Sequence, residues 1–202
     1  AAFPISEVNR GINAFTLGVR SVNSEANVYV SWTNSWEDDA ATAEATKNLL
    51  DAHNIDVLTM HSDSLIPLDI AEERGVMSIG YNWDNSTNYP ETYLTAAVWD
   101  WESFYKPIIL KCLQGKFEGK NYWEGIDSGV VDLAPLTDKV NPETQTVILQ
   151  EMEKLRSGTY DVFYGPIYDN AGNLRIEEGE CMTDNAMLNE FDWYVEGVMI
   201  DE

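Results

Sequence analysis

From Ser6 onward the apolar side chains Val8, Ile12, Phe15 and Val19 return every three or four positions, which places them on one helical face. Ser6 stands where an N-cap is expected. Val28 to Trp32 then forms a β-branched and aromatic run that reads as a strand. Asp38 and Asp39 open an Ala-rich helix reaching about His53, with its acids at the positive end of the helix dipole. Asp56 to Met60 reads as a buried strand, and Pro67 begins a short helix that ends near Arg74-Gly75. Val76 to Tyr81 and Tyr93 to Val98 read as two further strands. Strand and helix alternate throughout, which predicts an α/β fold: a doubly wound, mostly parallel sheet covered on both faces.

Past residue 100 the rhythm changes. Trp101 to Leu113 reads as a helix that turns Phe104, Tyr105, Ile108, Ile109 and Cys112 toward a core and stops at Gly115. Gly129 to Ala134 is expected to be a short strand. Asn141-Pro142 opens a helix to about Arg156, ended by Ser157-Gly158. Phe163 to Tyr168 and Leu174 to Ile176 flank Asp169-Asn-Ala-Gly172 as a hairpin, and Asp184 is expected to cap a last short helix.

Charge narrows the partners. The chain of 202 residues has 12 Lys and Arg against 35 Asp and Glu, a formal charge of −23. So acidic a surface repels phosphate, so no nucleic-acid partner is expected. The acidity has two readings, plain solubility or adaptation to high salt. Cys112 and Cys181 form no C-x-x-C pair, and no Cys/His cluster has metal-ligand spacing. No metal and no cofactor are expected. No apolar run approaches the roughly 20 residues that span a bilayer. Without a starting Met or a leader pattern, Ala1 is expected to begin a processed chain or a fragment.

In open parallel sheets, ligands bind at the carboxyl ends of the strands. Here those ends carry Asn34 and Trp36, His61 and Asp63, Asn82 and Asp84, and Trp99. Indoles offer stacking surface, while Asn, Asp and His offer directional hydrogen bonds, a combination that suits a flat polar ligand. Each Trp is equally explained as packing, and Asn34, Asn82 and Asn85 also suit turns. Asp39 and Glu72 read as solvated helix acids. A hydrolase would use His61 and Asp63 as an acid–base pair, but no nucleophile elbow, phosphate loop or metalloprotease motif accompanies them, so no enzyme is expected.

Phe3-Pro-Ile-Ser-Glu-Val-Asn-Arg-Gly-Ile-Asn-Ala-Phe-Thr-Leu-Gly18 resembles a stretch of the BMP (basic membrane protein) substrate-binding lipoproteins. So do Trp32-Thr-Asn-Ser-Trp36, His61-Ser-Asp-Ser64, Ala71-Glu-Glu-Arg-Gly75, Val130-Val-Asp-Leu-Ala-Pro135 and Trp193-Tyr-Val-Glu-Gly197. The resemblance implies an extracytoplasmic receptor of an ABC transporter with a type I periplasmic-binding fold. It also implies a permease partner, a lipid anchor in a missing N-terminus, and a purine-like solute held between two lobes. Phe3 joins the candidate ligand contacts on this ground. The nucleoside-binding branch carries Asp and Lys where Asn82 and Trp99 stand, so this chain is closer to a branch for a flat, base-like ligand. The implied layout puts residues 1–98 in lobe two, 99–128 in a hinge crossing and a helix of lobe one, and 129–202 in a return strand and the rest of lobe two. A strand leading into Ala1 would separate the strands at 28–32 and 56–60, which should then not pair. A sensory module of the same fold is the alternative.

Overall fold

The computed structural model describes residues 1–201. These residues form two compact units, one of 1–56, 60–70 and the described residues from 160 onward, the other of 57–59 and 71–159.

The first unit begins with α1 (Ser6–Val22). Its N-cap is Ile5, which supplies no side-chain hydrogen bond, so Ser6 is the first helical residue and not the cap. Parallel pairing joins β1 (Val28–Val30) to β8 (Val198–Ile200), a strand the sequence pattern did not announce. Between them in the chain come α2 (Asp39–Ala52), capped by the Asp38 side chain on the Ala41 N–H, and the antiparallel pair β6 (Ile167–Tyr168) and β7 (Leu174–Ile176). The last helix, α6 (Asp184–Asn189), is capped by Thr183 and not by Asp184. The core gathers Val8, Ile12, Val30, Phe163, Phe191, Trp193, Val195 and Val198 among others.

The buried face of α1 is Val8, Asn9, Ile12, Asn13 and Thr16, a half-polar stripe rather than the apolar one expected. Irregular backbone partners both Asn13 side-chain atoms and the Asn9 amide nitrogen, while Asn9 Oδ1 is buried without a partner among the described residues. Asn9 Nδ2 donates to the Phe191 carbonyl at 2.9 Å, and Asn13 Nδ2 to the Trp193 carbonyl at 2.8 Å. Asn13 Oδ1 accepts the Val195 N–H at 3.0 Å. Buried backbone groups outside sheets need such partners, and two helix asparagines provide them here.

The second unit is a four-stranded sheet of order β2-β3-β4-β5. The strands β2 (Val57–Thr59), β3 (Met77–Asn82) and β4 (Tyr93–Trp99) run parallel, and β5 (Val131–Leu133) is antiparallel to β4. Among the described residues β1 pairs with β8 and β2 with β3, so no direct β1–β2 ladder forms. The helix α3 (Ile66–Arg74) precedes β3. Both α4 (Trp101–Leu113) and α5 (Pro142–Arg156) bury no residue completely. Of the α4 side chains expected toward a core, Phe104 and Ile108 are half-buried, whereas Tyr105, Ile109 and Cys112 are exposed.

Glu72 is not a free helix acid. Its carboxylate accepts the Glu91 N–H, the Thr92 N–H and the Thr92 hydroxyl at 3.0, 3.0 and 2.7 Å. Partial desolvation opposes ionisation, but these bonds, with Lys139 nearby, hold Glu72 below the ordinary carboxylate range. Glu72 thereby fixes the turn that feeds β4.

Candidate ligand-binding site

In the first unit, three of the candidate residues meet. Phe3 and Trp36 stand edge to face, with ring centroids 5.7 Å apart, and Trp36 lies 6.4 Å from the His61 ring. Local backbone bonds set this cluster. The Ala2 N–H donates to the His61 carbonyl at 3.2 Å, and the Asp63 N–H to the Trp36 carbonyl at 3.0 Å. On the other side of the first residues, the Ala1 carbonyl accepts the Thr33 N–H at 2.9 Å. Asp39, read from sequence as solvated, accepts the Ser64 hydroxyl at 2.7 Å and so ties the loop after His61 to the start of α2. Phe3, Trp36 and His61 are half-buried, whereas Asn34 and Asp63 are exposed. Asn34 adopts φ +53°, a left-handed turn conformation that Asn tolerates.

Burial pushes the His61 imidazole down from 6.5 to about 4, with the charges of the amino terminus and Arg10 acting in the same direction and Asp63 opposing them. The ring is therefore neutral near pH 7: it can donate at one nitrogen and accept at the other, but brings no charge. A base held so low is poorly matched to proton abstraction at neutral pH, which argues against the acid–base pairing of His61 with Asp63. Sequence reading missed two residues beside it, Arg10 and Gly11. A lone Arg and a Gly within an amphipathic helix were the available signals.

In the second unit, Asn82 and Trp99 are brought together directly. The Trp99 indole N–H donates to Asn82 Oδ1 at 2.9 Å. Asn82 sits at φ +74°, a left-handed conformation that Asn tolerates at the end of β3. Trp99 has Tyr81 edge-on at 6.5 Å and Trp101 at 6.1 Å. A parallel device holds Trp83, whose indole N–H donates to Asn85 Oδ1 at 3.2 Å, with buried Asn85 in turn fixed by the Tyr93 hydroxyl. Asp84 is exposed and accepts the Ser86 N–H in its own turn. These asparagines thus orient indoles. Tyr81, which sequence reading did not single out, and Trp101 lie against Trp99 and extend its aromatic surface.

Residues 1–163 match the model of the Bmp family, described as ABC transporter substrate-binding protein PnrA-like. The chain belongs to this family. It is 36% identical over 196 residues to a purine-binding protein of Brucella abortus, covering 96% of this chain and 55% of that one. It is 35% identical over 198 residues to a putative ABC transporter glucose-binding protein of Haloferax volcanii, covering 98% of this chain and 48% of that one. The chain thus spans about half the length of these curated relatives. A solute-binding protein of an ABC transporter system from Conexibacter woesei superposes with a TM-score of 0.64 at 19% identity, over 79% of this chain and 54% of that one. That likeness shows the fold, which is the expected periplasmic-binding type. The Bmp family is one of solute-binding proteins, not of enzymes.

Proposed function

We propose that this chain is part of an extracytoplasmic ABC-transporter receptor that captures a purine-like solute and delivers it to a permease. The observation that carries this reading is the chemistry of the two strand-end clusters. Phe3, Trp36 and neutral His61 offer aromatic faces and an uncharged donor–acceptor, and Trp99 is an indole held at 37% exposure by Asn82. An uncharged, flat heterocycle with ring nitrogens suits the chemistry of each cluster taken by itself: an indole stacks on its face, while His61 in the one or Asn82 in the other meets its edge. Asn34, Asp63 and Asp84, all exposed, are proposed as contacts made when the lobes close.

On this reading residues 1–98 and 129–202 build one lobe, 99–128 reach into the other, and a lipid anchor tethers the full-length receptor to the outer face of the membrane. Closure is driven only by contacts the ligand makes in the closed state. The Brucella relative supports a purine, and the Haloferax relative makes glucose the second candidate.

Calorimetry on the full-length receptor with adenine, guanine, hypoxanthine and glucose decides between them. A purine base should bind, and Trp99→Ala should weaken it by roughly 1–3 kcal/mol, the worth of base–aromatic stacking. Binding of glucose and of none of the bases would sink the purine reading, and unchanged affinity in Trp99→Ala would remove that indole from the site.

A further inference from the structure

Gly11 lies in the body of α1, where glycine weakens a helix relative to alanine. Its backbone is helical, so no left-handed conformation requires glycine there. What the position meets is His61. A Cβ added at Gly11 would lie 2.9 Å from His61 Nδ1, closer than side chains pack, and 3.1 Å from Cε1, itself a tight contact. Gly18, on the same helix, has nothing within 4 Å of its added Cβ. The imidazole can relieve this contact only by turning about its own side-chain bonds. Its own backbone carbonyl is held by Ala2, Trp36 flanks the ring, and the following loop is tied to Trp36 and to Asp39.

We propose that Gly11 is a positioning residue for the ligand site: its missing side chain lets the His61 imidazole seat against α1, and a methyl group there would turn the ring out of its binding orientation. The inference rests on the reading of His61 as a ligand contact. The trade is local, with helix stability given up at one position to keep one ring in place.

Gly11→Ala in the full-length receptor tests it by three readouts. The variant should melt at the same or a higher temperature, because alanine favours the helix. It should bind hypoxanthine about tenfold more weakly, the worth of about one hydrogen bond. By NMR, the His61 ring should titrate nearer 6.5 than in the unaltered protein, because a displaced ring regains water. Its signal is assigned by its loss in His61→Ala, and the charged groups around it, Arg10, Asp63 and the chain at Ala1, are unchanged. In a His61→Ala background Gly11→Ala should leave affinity unaltered, since the ring it displaces is gone.

A His61 titration identical in Gly11→Ala and the unaltered protein overturns the inference. So does unchanged hypoxanthine affinity in Gly11→Ala where His61→Ala weakens it. If His61→Ala itself binds as the unaltered protein does, the placement of His61 in the site fails and the inference falls with it. The ring titration needs no ligand, so a protein that binds no hypoxanthine sinks the purine reading while the ring still decides whether Gly11 positions it.

Discussion

The His61 imidazole holds its proton less readily in the folded chain than an exposed histidine does, chiefly because it is buried. Between about 4 and 6.5 the unfolded chain carries this proton and the folded chain does not. Acid therefore favours unfolding within that window, and the contribution is constant above it and below it. The loss should be on the order of 2 kcal/mol, allowing for partial exposure of the ring. Urea denaturation from pH 7 to pH 4 checks this by difference. His61→Gln, which has no proton to gain, should lose less stability over that range than the unaltered protein. Parallel losses would show that the ring is solvated. The same neutrality made His61 legible in the sequence only in part. A His at a strand end is visible, but its charge state depends on burial against α1, which no local spacing encodes. Likewise Asn82 was readable as a turn residue or as a ligand contact, and its bond to the Trp99 indole depends on two strands coming into register.

At the scale of elements, long periodic or capped segments were the readable ones. The helices α2 and α5 begin after Asp38 and Asn141, whose side chains cap them as their sequences announce. Of the three-residue strands, β1, β2, β5 and β7 fall within runs read as strands, whereas β8 went unseen because Val198-Met199-Ile200 becomes a strand only by pairing with β1. In α1 the period was legible but the chemistry of the face was not. Asn9, Asn13 and Thr16 interrupt an apolar stripe, and the carbonyls that the two asparagine amide nitrogens reach lie about 180 residues downstream, with separations of 182 and 180. Asn13 serves both a carbonyl and an N–H of that segment, so Asn13→Ala strands two buried backbone groups. It should destabilise by about 2–4 kcal/mol. Asn189→Ala, at an exposed position, should stay within about 0.5 kcal/mol. A urea midpoint for Asn13→Ala close to that of Asn189→Ala would show that water replaces the lost partners. The open apolar side chains of α4 teach the converse. Periodicity identified the helix, but amphipathicity alone does not say what a face is packed against.

For the whole molecule the dominant electrostatic fact is 35 acidic against 12 basic residues. Several of the basic residues are already engaged in ion pairs: Arg20 with Glu196, Lys139 with Glu91, Arg156 with Asp132, and Arg175 with Asp169. A pair exposed on both sides, such as Arg156 with Asp132, contributes little, so the surplus of negative charge sets the net effect. On a protein of this size the acidic groups stand roughly 15–20 Å apart on average. The screening length is about 30 Å at 0.01 M salt, about 10 Å at 0.1 M and about 3 Å at 1 M. Repulsion is therefore nearly unscreened at the first concentration, falls steeply by the second, and is almost gone by the third. If simple acid–acid repulsion is what salt relieves, the melting temperature should climb most between about 0.01 and 0.1 M NaCl and level off well before molar salt. An adaptation to high salt predicts a different curve, one that keeps rising to molar NaCl, because ordered hydration and salt-strengthened apolar burial act beyond the range of screening. Comparing NaCl with an equal ionic strength of sodium sulfate separates the two. Screening responds to ionic strength alone, whereas apolar burial is strengthened further by sulfate. A melting temperature that stays flat from low to molar salt would remove both, and would mean that the acidic side chains are spread widely enough to serve solubility alone.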